Sequence, residues 1–209
     1  MDQLEPAELR VLGCLVEKEH TTPDQYPLTL NALMLACNQT SNRQPVVAFD
    51  EATVSTALAG LRQQKLARTI LAPGNRATKY RHVLDETTGL TPGECAVLAV
   101  LALRGPQTAS ELRIRTERYR GIDELGGVES VLHRLASRYE QPYVRRLERQ
   151  AGQRDERWAQ LLGGEPSPSE LALRQPAPTG ASVTSRLSAL EQEVAALREE
   201  IADLRRIIA

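Results

Sequence analysis

The side chains able to do chemistry fall into two groups: scattered thiols, imidazoles and carboxylates, and a concentration of arginines in the middle of the chain. The first group forms no site. Cys14, Cys37 and Cys95 are far apart, and His20, His82 and His133 do not stand at ligand spacing from them or from one another. A structural or catalytic metal needs such spacing. The cysteines sit in or beside apolar runs and read as small buried hydrophobes of a reducing compartment. Glu17 and Glu19 read as helix-surface charges, and Asn42-Arg43 beside Pro45 as a loop lock whose side chains bond backbone carbonyls. A phosphate or partner contact is the other reading of that pair. There is no phosphate-binding glycine loop, nucleophile elbow or Cys/His/Asp cluster. The expectation is a non-enzymatic protein without cofactor or metal.

The arginines could grip phosphates. Residues 89–162 hold 12 basic and 10 acidic residues, against 9 and 10 in residues 1–88, so any anion preference is expected in the second region. There Ser130, His133, Arg134, Ser137 and Arg138 would lie on the outer face of one helix, and Arg145, Arg146, Arg154 and Arg157 on a following hairpin. Arg113, Arg115, Arg118 and Arg120 stand nearby. The same arginines could instead form a solvated surface laced with Glu111, Glu117, Glu148 and Glu156. In the first region the corresponding helix shows a small, uncharged face of Ala52, Thr56, Ala59 and Gln63, flanked by Arg62, Lys65, Arg76 and Lys79. Overall the net charge is −1, unlike a dedicated, strongly basic nucleic-acid binder.

These positions depend on a recurring order of elements. A helix is predicted from near Glu5 to His20, with Leu9, Leu12, Cys14, Leu15 and Val16 apolar at helical spacing. TTPDQYP breaks it. A second helix runs from about Thr29 to Gln39. Asp50 caps a third that ends near Lys65, with Val54, Ala57, Leu58 and Leu61 inward. Leu66–Leu71 and Thr78–Val83 read as strands joined by a turn at Pro73-Gly74-Asn75-Arg76.

The order then repeats. Thr91 caps a helix with Pro92 at its first position and Glu94 closing a capping box, running to about Arg104. Helices follow from Thr108 or Ser110 to Thr116 and from Val128 to Arg138. Strands follow at Tyr143–Leu147 and Glu156–Leu161, with a polar turn near Gly152. LEPAELRVLGCL and LTPGECAVLAVL mark the start of each copy. Three helices followed by a hairpin is the order of a winged helix. The predicted fold is therefore mostly α with small β-wings (α+β): two tandem winged-helix domains, 1–88 and 89–162. A Pro/Gly/Ser-rich linker, 163–184, follows.

Residues 185–209 carry a heptad seam. Leu187, Val194, Ile201 and Ile208 fall at a, and Leu190, Leu197 and Leu204 at d, which favours a parallel dimer. Arg186 with Glu191, Glu193 with Arg198 and Glu200 with Arg205 match charges between g and e′. The alternative is a helix folded back on its own chain. The N-terminus MDQLEPAELR lacks a basic segment followed by an apolar run, and no run approaches membrane-span length. A soluble cytoplasmic protein without membrane contact is expected.

Three long segments resemble the YceH-like family of uncharacterised bacterial proteins: LGCLVEKEHTTPDQYPLTLNALMLACNQTSNRQPV (12–46), LRGPQTASELRIRTERY (103–119) and QAGQRDERWAQLLGG (150–164). The family often shows a tyrosine where Trp158 stands. The resemblance implies a tandem winged-helix fold and supplies no function. The functional expectation is double-stranded DNA binding in a regulator-like role through the second domain, with self-association through the coil. The alternative is an adaptor that docks an unidentified protein partner without touching DNA.

Overall fold

In the computed structural model the first helix, α1 (Pro6–Thr21), opens with Pro6 behind a reciprocal capping box between Glu5 and Glu8. Its sequence pattern suggests one apolar face, yet every residue from Arg10 to Glu17 is buried. Such a helix must be enclosed by partners on several sides. Those partners are α2 (Leu30–Cys37), α3 (Glu51–Gln63) and α5 (Pro92–Arg104). The structure describes residues 2–71, 77–119, 121–139, 141–149 and 155–166.

α2 is capped by the Thr29 hydroxyl and α3 by the Asp50 carboxylate, which accepts from the Thr53 amide at 2.8 Å. The end of α3 is a Schellman turn: Leu66 N–H donates to Leu61 O at 2.7 Å and Lys65 N–H to Arg62 O at 3.1 Å. Buried Leu61 and Leu66 anchor it. β2 (Ala67–Ile70) and β3 (Lys79–His82) then pair antiparallel, Ala67 opposite His82 and Ile70 opposite Lys79. A third, two-residue strand precedes α2. This β1 (Leu28–Thr29) pairs with β3, giving the order β1-β3-β2. It lies just beyond the TTPDQYP break, and two residues are too few to show a period.

A short helix, α4 (Leu84–Thr88), leads into the second copy. α5 has the predicted cap: Thr91 accepts from Glu94 N–H and Glu94 accepts from Thr91 N–H. α6 (Ala109–Thr116) starts at Thr108, with Glu111 closing a second capping box. α7 (Gly127–Ala136) buries Val128, Val131, Leu132 and Leu135. β4 (Val144–Leu147) and β5 (Arg157–Gln160) form the second antiparallel pair. Gln107, just before α6, bridges Trp158 of β5, as the residues before α2 bridge β3 in the first copy.

The fold is thus mixed α+β, with seven helices among the described residues and two small antiparallel sheets. One apolar cluster runs through both copies. α1 and α5, the equivalent helices of the repeat, pack on each other so closely that a Cβ on Gly13 would stand 2.9 Å from Leu103 Cγ. Backbone bonds join the copies too: Leu4 N–H to Leu162 O and Gln44 N–H to Leu103 O, each 2.8 Å. No helix among the described residues is long and apolar enough to cross a membrane. The heptad positions Leu187, Leu190, Val194, Leu197, Ile201, Leu204 and Ile208 lie outside the described residues, as does most of the linker.

Candidate nucleic-acid interface

Burying Val54, Ala57, Leu58 and Leu61 turns Ala52, Ser55, Thr56, Ala59 and Gln63 of α3 outward. Arg62 projects from its last turn. Lys65 follows at the left-handed position of the Schellman turn, φ 59°, where glycine is the unstrained residue. Arg62, Lys65 and Arg68 line a shallow groove of about 680 Å³ with Thr69, Glu86 and Thr87. Arg68 lies 3.2 Å from Glu86, which also pairs with Arg81. The side chains of Arg62, Lys65 and Lys79 have no hydrogen-bond or acid partner among the described residues. Arg76 lies outside them.

The equivalent surface of the second copy is different. Arg134 reaches Glu94 at 3.3 Å, Arg145 reaches Glu165 at 2.7 Å and Arg146 reaches Glu156 at 3.1 Å. Arg157 pairs with Glu111 at 2.8 Å and donates to Pro106 O at 3.2 Å. Arg138 donates to Thr88 O and Gly89 O, closing the end of α4, and lies 3.8 Å from Glu94. Ser130 and Ser137 bond back to Gly126 O and Arg134 O on their own helix. His133 stands edge-on to Trp158, ring centroids 5.7 Å apart. Arg154 lies outside the described residues. Arg134, Arg145 and Arg146 are more than half exposed, and such pairs hold weakly. Arg138 and Arg157 grip backbone carbonyls and belong to the fold.

Glu94 anchors this side. Burial pushes its carboxyl up, but the Thr91 amide and hydroxyl and the Arg134 guanidinium outweigh that and hold it below the usual carboxylate range. Its side chain is 1% exposed.

Between α1 and the loop after α2 lies a polar cluster that the sequence does not reveal. Glu17 is not a surface charge: both its carboxylate oxygens accept from buried Arg43, at 3.0 and 2.5 Å. Arg43 also donates to Ala36 O, Asn42 O and Gln39 Oε1, each at 3.0 Å, so it locks the loop after α2. Arg10, likewise buried, donates to Cys37 O and Pro45 O. Glu19 bonds His82 Nε2 at 2.6 Å, which holds its carboxyl below the usual range. The sequence offers the loop-lock reading for Arg43, which its bonds to Ala36 O and Asn42 O bear out, but no sign that Glu17 is its partner. Cys14, Cys37 and Cys95 are all buried. The hydrogen bond that Cys37 donates to Cys14, together with burial, pushes the Cys37 thiol up, and burial does the same to Cys95, which makes these two poor nucleophiles. Among the described residues no group of three or more His, Cys, Asp or Glu could hold a metal ion.

The sequence of this element order is matched elsewhere. A family model described as "Protein of unknown function, DUF480" covers residues 4–153, the first copy and most of the second. The chain belongs to the DUF480 family. A UPF0502 protein of Solibacter usitatus is 52% identical over 98% of this chain and 97% of its own length. One from Pelobacter propionicus is 56% identical over 78% of this chain and 73% of its own. One from Geobacter sulfurreducens is 49% identical over 92% and 89%. These uncharacterised bacterial proteins agree with the YceH-like resemblance of the three quoted segments. The DUF480 match takes in the first copy and the second through β4, and stops short of β5.

Proposed function

We propose that the two copies are tandem winged helices and that the protein binds double-stranded DNA in a regulator-like role. The first copy, not the second, makes the primary contact. α3 enters the major groove, and Arg62, Lys65 and Lys79 grip the flanking phosphates. The observation that carries this reading is the contrast in charge use. Arg62, Lys65 and Lys79 have no acid partner among the described residues, whereas Arg134, Arg145 and Arg146 on α7 and β4 each face a carboxylate, Glu94, Glu165 and Glu156. The face of Ala, Ser, Thr and Gln on α3 suits contact with base edges and thymine methyls. A strained, non-glycine Lys65 fits a position kept for its side chain. The heptad seam of 185–209 would join two such chains and add avidity without new contacts.

The test is binding to a fluorescent random-sequence duplex across a salt series. Arg62→Gln/Lys65→Gln/Lys79→Gln should weaken binding and flatten the log–log salt slope by about 3. Arg134→Gln/Arg145→Gln/Arg146→Gln should change the slope by about 1 or less. Loss confined to the second set would move the interface to α7. Absence of binding at low salt would sink the DNA reading. It would then favour a protein-docking adaptor, a reading supported by near-neutral charge and by exposed Ile114 and Tyr139 on the second copy.

A further inference from the structure

A second basic site lies away from α3, where the C-terminal ends of α5 and α6 meet the loop after α2. A cleft of about 220 Å³ there is lined by Arg104, Arg115, Arg118, Tyr119, Asn42 and Glu17, together with apolar side chains of α5. Its charges do not cancel. Glu17 is the single carboxylate in the lining, and it is already bonded through both oxygens to Arg43. Glu111, 4.0 Å from Arg115, is held by Arg157 at 2.8 Å. Arg118 has no partner among the described residues.

The cations are positioned rather than loose. Arg115 donates to the side-chain carbonyl of Gln107. Gln107 is fully buried and is fixed by donating to Val100 O and Gly105 O, each at 3.3 Å. Arg104, in the last turn of α5, donates to the side chain of Asn42, which takes the left-handed conformation, φ 60°. Burial lowers the pKa of Arg104, and the charge of Arg115 lowers it further, so the two guanidiniums repel each other. The Tyr119 ring packs on His20, centroids 5.2 Å apart, and its hydroxyl has no hydrogen-bond partner among the described residues. Burial pushes that phenol up, so it stays protonated and able to donate.

We propose that this cleft binds a small anion carrying two or more negative charges, borne by phosphate or carboxylate groups. Arg104 and Arg118 would grip it, Arg115 would add field, and the Tyr119 hydroxyl would donate to it. Planar guanidiniums suit both kinds of oxyanion. Bound charge would relieve the repulsion between Arg104 and Arg115, so the anion stabilises the fold on which it sits. The site is independent of DNA contact through α3.

The experiment is thermal unfolding of the full chain with pyrophosphate or with citrate, against sodium chloride at matched ionic strength. A hundredfold excess over Kd should raise Tm by about 5–10 °C. Pyrophosphate acting alone would assign a phosphate ligand, and citrate alone a polycarboxylate. Arg104→Gln and Arg118→Gln should each abolish the increment. Without anion, Arg118→Gln should melt at the wild-type Tm, because that side chain has no partner among the described residues, so the loss of its increment reports the ligand and not the fold. Three results would overturn the proposal: no increment with either anion, an increment that survives both substitutions, or one that is lost instead in Arg62→Gln/Lys65→Gln.

Discussion

Replacing Glu17 by Gln keeps the side-chain volume and removes one charge from the buried pair that ties α1 to the loop after α2. All five N–H groups of Arg43 are used: Nε on Ala36 O, one nitrogen on Glu17 and Asn42 O, the other on Glu17 and Gln39. The Arg43 side chain is 0% exposed and that of Glu17 9%. Burial alone would lower the pKa of Arg43, but the hydrogen bonds it donates to Glu17 raise it, so the guanidinium stays charged. After Glu17→Gln the cation remains with no anion, and one bond becomes donor facing donor. Removing one partner of a buried pair costs about 3–5 kcal/mol. At about 2–4 °C per kcal/mol for a chain of this size, Tm should fall by roughly 6–20 °C. Glu86→Gln is the control. Glu86 and Arg68 are 42% and 59% exposed, and that loss should stay under about 1 kcal/mol. Both variants can be read by urea and thermal unfolding followed by helical circular dichroism. A double variant, Glu17→Met/Arg43→Met, should lose less than the sum of its parts, with a coupling of about 2 kcal/mol or more. A Glu17→Gln loss no larger than that of Glu86→Gln would refute the view that this pair locks the loop after α2 onto α1.

The folded pKa of Glu94 lies below its usual 4.5, so its contribution to stability is complete above that value and disappears as pH falls through the depressed folded value. Glu94→Gln should therefore be less stable than wild type by about 1–2 kcal/mol at pH 7, and the two should converge on acidification in a pH series of unfolding curves. Gly93→Ala should destabilise by about 1–3 kcal/mol although it removes a glycine from a helix, because its Cβ would stand 2.5 Å from Gly121 O. Equal or higher stability in urea would show that the 121 turn yields freely. Lys65→Gly should leave stability unchanged or raise it by up to about 1 kcal/mol, while weakening DNA binding in the salt series.

Local rules made most of the elements legible. The caps at Asp50 and Thr91 stand where the sequence places them, and of the two starts it offers for the next helix, Thr108 and Ser110, Thr108 is the cap; each satisfies helix amides within three residues. Both pairs of main hairpin strands were readable from alternation and turn residues. What was hidden depends on residues distant in sequence. β1 and the Gln107–Trp158 bridge exist only because a returning strand lies beside them. Glu17 and Arg43 are 26 residues apart, and neither alone shows that it is buried. The outward arginines of the second copy were identifiable as a concentration of charge, but their Glu94, Glu165 and Glu156 partners come from other elements. Counting charge along the chain thus favoured the second copy, whereas pairing in space sets carboxylates against Arg134, Arg145 and Arg146 there and leaves Arg62, Lys65 and Lys79 of the first copy unpaired among the described residues.

The pairing of α1 with α5 also bears on whether one copy can stand alone. A helix with a single apolar stripe could close a small core within its own copy. α1 is instead buried over eight consecutive residues, and α5 over nearly its whole length, each covered in part by the other. Gly13 admits Leu103 where any larger residue would collide, and Leu103 is 1% exposed. Separating the copies at residue 88 would return that face to water. Each leucine-sized side chain so exposed costs about 1.5–3 kcal/mol. Three or four of them consume most of the roughly 5–15 kcal/mol by which a domain is stable. Residues 1–88 alone should therefore be unfolded, or should cover the face by self-association. Mixing them with residues 89–170 should restore a cooperative transition, read by sedimentation and thermal unfolding. A monomeric, cooperatively folded 1–88 fragment with the Tm of the full chain would show instead that the α1–α5 contact joins two finished domains.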